Sequence, residues 1–251
     1  PYYGMCYDHD GNLWLGTDGN GIYKSDLYGN TIRQYTAETD PSLKDNAIIS
    51  ALRDEKGRLW FGSYSQGIFL YKGNTDSFVN YRYQNEKTKR GGNDVRVVFE
   101  DSKNNIWIGT NRGGLCLLDE KENMYANPPH FSDALLNGDV RSITEDIQGN
   151  IWIGCYGDGV YSYSPVTKKF KRHFNDSKTA EQLKSDVVFA IKADRKGNVW
   201  IGTRGGGLCV FNPVKNVFKR YTDKDGLSNN TINAILIDNN QNVWASTNAG
   251  I

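Results

Sequence analysis

Six tryptophans recur at a near-constant interval, each preceded by an aspartate at the same distance. Trp14, Trp60, Trp107, Trp152, Trp200 and Trp244 are separated by 46, 47, 45, 48 and 44 residues, and Asp8, Asp54, Asp101, Asp146, Asp194 and Asp238 each stand six positions upstream. A period of this length marks a supersecondary unit that buries its apolar face against copies of itself. Length alone leaves 251 residues open to one large domain or two small ones, so the repeat decides, and it predicts a single array over 1–251.

Between Asp and Trp the chain reads DHDGNL, DEKGRL, DSKNNI, DIQGNI, DRKGNV and DNNQNV. An Asp opening such a stretch accepts backbone N–H bonds, and Gly or Asn near its end tolerates positive φ, so each stretch is a turn. After each Trp come LGT, FGS, IGT, IGC, IGT and AST, then a glycine turn and an apolar residue, as in Gly21-Ile22 and Gly207-Leu208. Each unit thus predicts four short strands, illustrated by 48–53, 59–63, 67–71 and 78–82. Four strands per roughly 45 residues, with a WxGT-like second strand, is the pattern of a β-propeller blade, and the Trp is expected to pack between blades. The all-β reading divides the chain into blades at about 1–38, 39–85, 86–131, 132–177 and 178–224, with a partial blade over 225–251. Five full blades and half a sixth, beginning on an inner strand near Tyr3–Asp8 and stopping where a third strand should start, imply a fragment of a larger propeller region.

These residues closely resemble the two-component regulator propeller repeat. DIQGNIWIG (146–154) and DRKGNVWIGTRGGG (194–207) follow the D-x-x-G-N-I-W-I-G-T…G-G-L pattern, as does DGLSNNTI (225–232) ahead of the last unit. The last unit departs from the pattern at Gln241 and Ala245-Ser246 and has a shorter turn before Gly250, and Cys155 replaces Thr in the fourth. The resemblance implies the extracytoplasmic, periplasmic sensor region of a hybrid two-component histidine kinase of Bacteroides type. Such a region responds to oligosaccharides, and its membrane span and kinase modules lie elsewhere in the parent chain. It also leaves room for a homodimer formed through the parent receptor.

Composition narrows the alternatives. Thirty basic against 29 acidic residues leave a formal charge of +1, which favours neither nucleic acid nor an acidic membrane surface. No apolar run approaches the roughly 20 residues that span a bilayer, and the first ten residues lack a signal-peptide layout, so membrane contact is expected only through other parts of the parent chain. Cys6, Cys116, Cys155 and Cys209 form no CxxC and read as small buried hydrophobes. His9, His130 and His173 occupy unrelated repeat positions, so no metal site, cofactor or Ser-His-Asp set is nominated. Arg204-Gly205-Gly206-Gly207 joins two strands and opens no helix, and is therefore a hairpin turn, not a phosphate loop. Asp8–Gly11 and Asp223–Gly226 lack the later ligands of a calcium loop. No facing acid pair stands out for glycosidase chemistry.

In a propeller the turns between second and third strands, together with the connections into the next blade, share one face, and that face is the expected binding surface. Tyr64, Gln66, Arg112, Tyr156, Asp158 and Arg204 are the candidate ligand contacts, because a sugar offers apolar C–H faces to aromatics and hydroxyls to polar side chains. The alternative for each is a solvated turn residue. Arg96 and Arg141 form a second set, both 11 residues before their Trp, where other units hold Ile49, Phe189 and Asn233. They are suited to a carboxylate or sulfate, or else pair with Asp94 and Asp139. Three functions follow: an oligosaccharide sensor without catalysis, a structural or protein-interaction propeller mediating assembly or dimerisation, and a propeller glycosidase or lyase.

Overall fold

The computed structural model describes residues 2–84, 92–128, 135, 138–173 and 183–251, with Tyr2 described by its backbone alone. His130 and the expected blade boundaries near 86, 132 and 178 lie outside these residues. The chain forms two compact units, Pro1–Gly138 and Asp139–Ile251.

In the first unit, β1 (Tyr2–Tyr7), β2 (Leu13–Thr17), β3 (Ile22–Ser25) and β4 (Thr31–Tyr35) form one four-stranded antiparallel sheet in sequence order. The second blade is β5 (Ile48–Arg53), β6 (Leu59–Ser63), β7 (Ile68–Lys72) and β8 (Ser77–Tyr83). The third is β9 (Val95–Glu100), β10 (Ile106–Thr110), β11 (Gly114–Asp119) and the short β12 (Met124–Ala126). Blades two and three are not separate sheets. Their outer strands pair in parallel, Met124 with Arg82 and Tyr125 with Tyr83, giving eight strands in one sheet. Tyr125 anchors that join: its ring is buried, and its hydroxyl donates to the Gly92 carbonyl at 2.8 Å.

The second unit holds β13 (Val140–Glu145), β14 (Ile151–Cys155), β15 (Gly159–Ser164) and β16 (Lys169–His173), then β17 (Val188–Ala193), β18 (Val199–Thr203), β19 (Leu208–Asn212) and β20 (Val217–Tyr221). A final hairpin, β21 (Ile232–Ile237) with β22 (Val243–Thr247), is the half blade, closed by a bridge between Thr247 and Gly250. Within each unit the first strands of successive blades pack on one another, β1 on β5 on β9, and β13 on β17 on β21.

The Asp-to-Trp spacing has a double purpose. In Asp54, Oδ1 accepts the Arg58 amide at 2.8 Å and fixes the turn, while Oδ2 accepts the Trp60 indole Nε1–H at 2.9 Å. The same indole bond forms in all six units, at 2.9 Å from Trp14, 2.8 Å from Trp107, 2.7 Å from Trp152, 2.9 Å from Trp200 and 3.2 Å from Trp244. A buried indole needs a partner for its N–H, and the turn former supplies it. The rings pack between blades as expected: Trp14 lies 5.8 Å from Phe61 and 4.6 Å from Tyr71, and Trp152 lies 5.5 Å from Phe211.

The glycine two residues after Trp14, Trp60, Trp152 and Trp200 sets blade spacing. A Cβ on Gly16, Gly62, Gly154 or Gly202 would stand 2.7, 2.6, 2.7 or 2.8 Å from Ile48, Val95, Val188 or Ile232 on the next blade's first strand. Such approaches leave no room for a side chain. Ser246 occupies that position in the half blade, which has no following strand in this chain. The next residue closes the hairpin, Thr17, Ser63, Thr110, Thr203 and Thr247 donating to the carbonyl of the following turn glycine at 2.8 to 3.0 Å. Cys155 takes this place in the fourth blade. All four cysteines are buried, and burial pushes the Cys6 and Cys209 thiols up to about 12 and about 11.

Candidate ligand-binding site

Every blade's first hairpin carries a β-bulge at one position. Pairing skips one residue of the first strand, and the skipped residues are Tyr3, Ile49, Arg96, Arg141, Phe189 and Asn233. A bulge leaves its extra residue out of the ladder and re-aims its side chain. The position 11 residues before each Trp is therefore a built-in exit from the sheet, and the residue there contributes to the surface around the second-to-third-strand turn.

In the second unit this brings three candidates and one further residue together. The Arg141 guanidinium lies over the Tyr156 ring at 5.2 Å from its centroid. Arg204 Nη1 donates to the Tyr156 hydroxyl at 3.2 Å, and the Phe189 ring stands 6.0 Å from that of Tyr156. Tyr156 stays 39% exposed. Its position follows from the backbone: its amide donates to the Asp139 carbonyl at 2.8 Å, tying the turn to the start of β13.

The first unit repeats the theme with different partners. Arg96 lies over the Tyr64 ring at 5.2 Å, and Tyr64 is 54% exposed. Here the arginine comes from the third blade and the tyrosine from the second, whereas Arg141 and Tyr156 belong to one blade. Both arginines also bind the aspartate two residues before them, Arg96 to Asp94 at 2.8 Å and Arg141 to Asp139 at 2.6 Å. Each bond uses one Nη2, and both Nε atoms are buried without a hydrogen-bond partner among the described residues. Both arginines thus make the expected ion pairs with Asp94 and Asp139. They hold aromatic rings in place, and their charge is offset locally. A guanidinium fixed over a tyrosine stiffens the ring.

The remaining candidates are employed differently. Gln66 accepts from Arg82 through Oε1, and its backbone N–H donates to Ser63 Oγ at 2.9 Å. Asp158 faces the outer strand, its carboxylate 3.4 Å from Arg172 Nη2 and its carbonyl accepting Arg172 Nε at 3.0 Å. Arg112 is exposed in the β10–β11 turn at φ 66°. Arg204 differs from Arg96 and Arg141 in having no carboxylate partner among the described residues, so it carries the uncompensated positive charge of the Tyr156 cluster. In the sequence Phe189 stands out only as the counterpart of Arg141. The shared offset from Trp was the signal that it belongs to the site.

Four-stranded blades, seam glycines and recurrent first-strand bulges define the chain as a β-propeller repeat protein. The two component regulator propeller model matches residues 1–19, 42–65, 89–112, 134–157, 182–205 and 226–249, and the chain belongs to that family. Its fold is similar to the extracellular domain of a candidate hybrid two component system of B. thetaiotaomicron, BT3049, with 33% identity and a TM-score of 0.80 over 98% of this chain and 32% of that one. A second such extracellular domain, BT4673 of the same organism, is 21% identical with a TM-score of 0.68, over 98% of this chain and 38% of that one. Histidine kinase P4 of Formosa agariphila is 26% identical over 107 residues, 41% of this chain and 8% of the kinase. The chain thus spans about a third of the structural relatives and a small part of the kinase.

Proposed function

We propose that this chain is a ligand-sensing segment in the extracytoplasmic, periplasmic part of a hybrid two-component sensor histidine kinase, and that it binds an oligosaccharide without chemical turnover. Family membership and the likeness to extracellular domains of hybrid systems support the receptor role. The single observation that carries the ligand class is the pair of exposed tyrosines, Tyr64 and Tyr156, each with one face held by a guanidinium. A rigid aromatic face bordered by Arg204 and the Tyr156 hydroxyl suits a pyranose ring, which stacks through its C–H face and hydrogen-bonds through its hydroxyls. The signal then passes to kinase modules of the parent protein by differential affinity for two receptor states.

The test is a thermal-shift survey of the purified protein against a panel of neutral and acidic oligosaccharides. A ligand bound by the native state alone raises the melting temperature in proportion to the logarithm of its concentration. At least one glycan is expected to do so, with the rise lost in Tyr156→Ala. A panel with no shift refutes the proposal.

A further inference from the structure

The seams between blades provide an internal comparison, because the same repeat positions meet at each one. Between the first and second blades the outer seam is plugged. Tyr35 and Tyr71 both donate to Asp76 Oδ1 at 2.7 Å, Arg33 pairs with the other oxygen of Asp76, and Lys24 lies over Trp14 at 5.2 Å. Between the second and third blades a different pair does the same work: Arg58 covers Trp60 at 5.0 Å and binds Glu120 at 2.6 Å. Each plugged seam therefore holds a cation over its tryptophan and an ion-paired carboxylate from the following blade.

Between the fourth and fifth blades, within the second unit, the equivalent positions are all changed. Lys24 becomes Ser162, Arg33 becomes Lys171, Tyr35 becomes His173 and Tyr71 becomes Phe211. The acids go too: Asn216 stands where the first seam has Asp76, and Pro213 where the second has Glu120. The result is a groove of about 390 Å³ beside Trp152, bordered by these residues with Asn150 and Lys169. Its size lies within the range of small-molecule sites. No carboxylate lines it, and neither lysine forms an ion pair among the described residues. His173 is neutral at pH 7, because burial pushes it down to about 4, and its Nε2 is 3.2 Å from Ser162 Oγ.

We propose that this seam groove binds a carboxylate-bearing sugar, a uronate, whose carboxylate takes the place that Asp76 and Glu120 fill in the other seams. Lys171 and Lys169 supply the cations for it. Ser162, Asn150 and Asn216 offer donors and acceptors for ring hydroxyls, and Phe211 offers an apolar wall for C–H groups. The groove is distinct from the Tyr156 cluster and rests on the glycan-sensing reading only in the class of ligand, since any sugar acid in solution can probe it.

The test follows the His173 ring resonances by NMR during titration with D-glucuronate, D-glucose and acetate. Glucuronate is expected to shift them saturably, with glucose and acetate at least tenfold weaker. Asn216→Asp puts the acid back in cis at a left-handed position, φ 51°, where Asp76 already sits at φ 49°. That variant should weaken glucuronate binding at least tenfold without lowering the melting temperature, whereas Tyr156→Ala should leave binding at the groove unchanged. His173 unmoved by glucuronate, an equal response to glucose or acetate, or undiminished binding in Asn216→Asp would each overturn the proposal. Glycan binding that depends on Tyr156 while His173 stays silent would refute the groove and leave the sensing site standing; the converse would refute that site alone.

Discussion

Replacing Asp54 by alanine isolates how much the Asp-to-Trp bond contributes. The Asp54 carboxylate is 3% exposed and accepts the Arg58 amide, the Arg58 Nε–H and the Trp60 indole N–H at 2.8, 2.6 and 2.9 Å. Alanine strands the indole N–H of a fully buried tryptophan and removes one of the two carboxylates facing Arg58. A buried donor left unpaired costs about 1–3 kcal/mol, and Arg58 keeps Glu120 as its ion-pair partner at 2.6 Å, so the expected loss is about 1–3 kcal/mol. The same substitution at Asp238 is the control, because it deletes an equivalent indole bond on Trp244, which is 53% exposed. Water replaces the lost acceptor there, and the loss should be a small fraction of that at Asp54. Urea unfolding read by tryptophan fluorescence measures both. Equal losses at the two sites would refute the argument, since burial, not the motif, is what gives the bond its value.

Three further outcomes follow from the same geometry. His173 is buried as the neutral ring with its pKa lowered from 6.5 to about 4, so the unfolded chain binds the extra proton first and stability falls as pH drops from about 6.5 to about 4, by about 3 kcal/mol. His173→Tyr, which restores the residue type of Tyr35, should flatten that slope in denaturation curves taken across the range. Gly62→Ala places a methyl 2.6 Å from Val95 and should destabilise by about 1–3 kcal/mol, whereas Ser246→Gly should change stability little. Cys209 is expected to resist alkylation in the native state and react on unfolding, because its thiol is raised to about 11 and buried; mass spectrometry after timed iodoacetamide treatment reads this directly.

The blades were legible because their signals are local. Asp, Gly and Trp at fixed spacing specify a turn and the strand after it, and the predicted strands 48–53 and 59–63 are β5 and β6 as found. The parallel pairing of β8 with β12 was not legible, since it depends on where Tyr125 is buried, a contact 33 residues distant from Gly92 in sequence. The site divided in the same way. Tyr156, Arg204 and Arg141 could each be named from repeat position, but that one guanidinium lies on one ring is a property of the bulge, which only pairing register reveals. The seam groove left no signal at all, being defined by an acid that two other seams have and this one lacks.

In the proposed sensor the Tyr156 face holds the ligand. Calorimetric titration of the glycan found in the thermal survey into wild type, Tyr156→Ala and Asp158→Ala measures its contribution. Kd should rise at least tenfold in Tyr156→Ala and stay unchanged in Asp158→Ala, because the Asp158 carboxylate faces Arg172. The same Kd for wild type and Tyr156→Ala would contradict it.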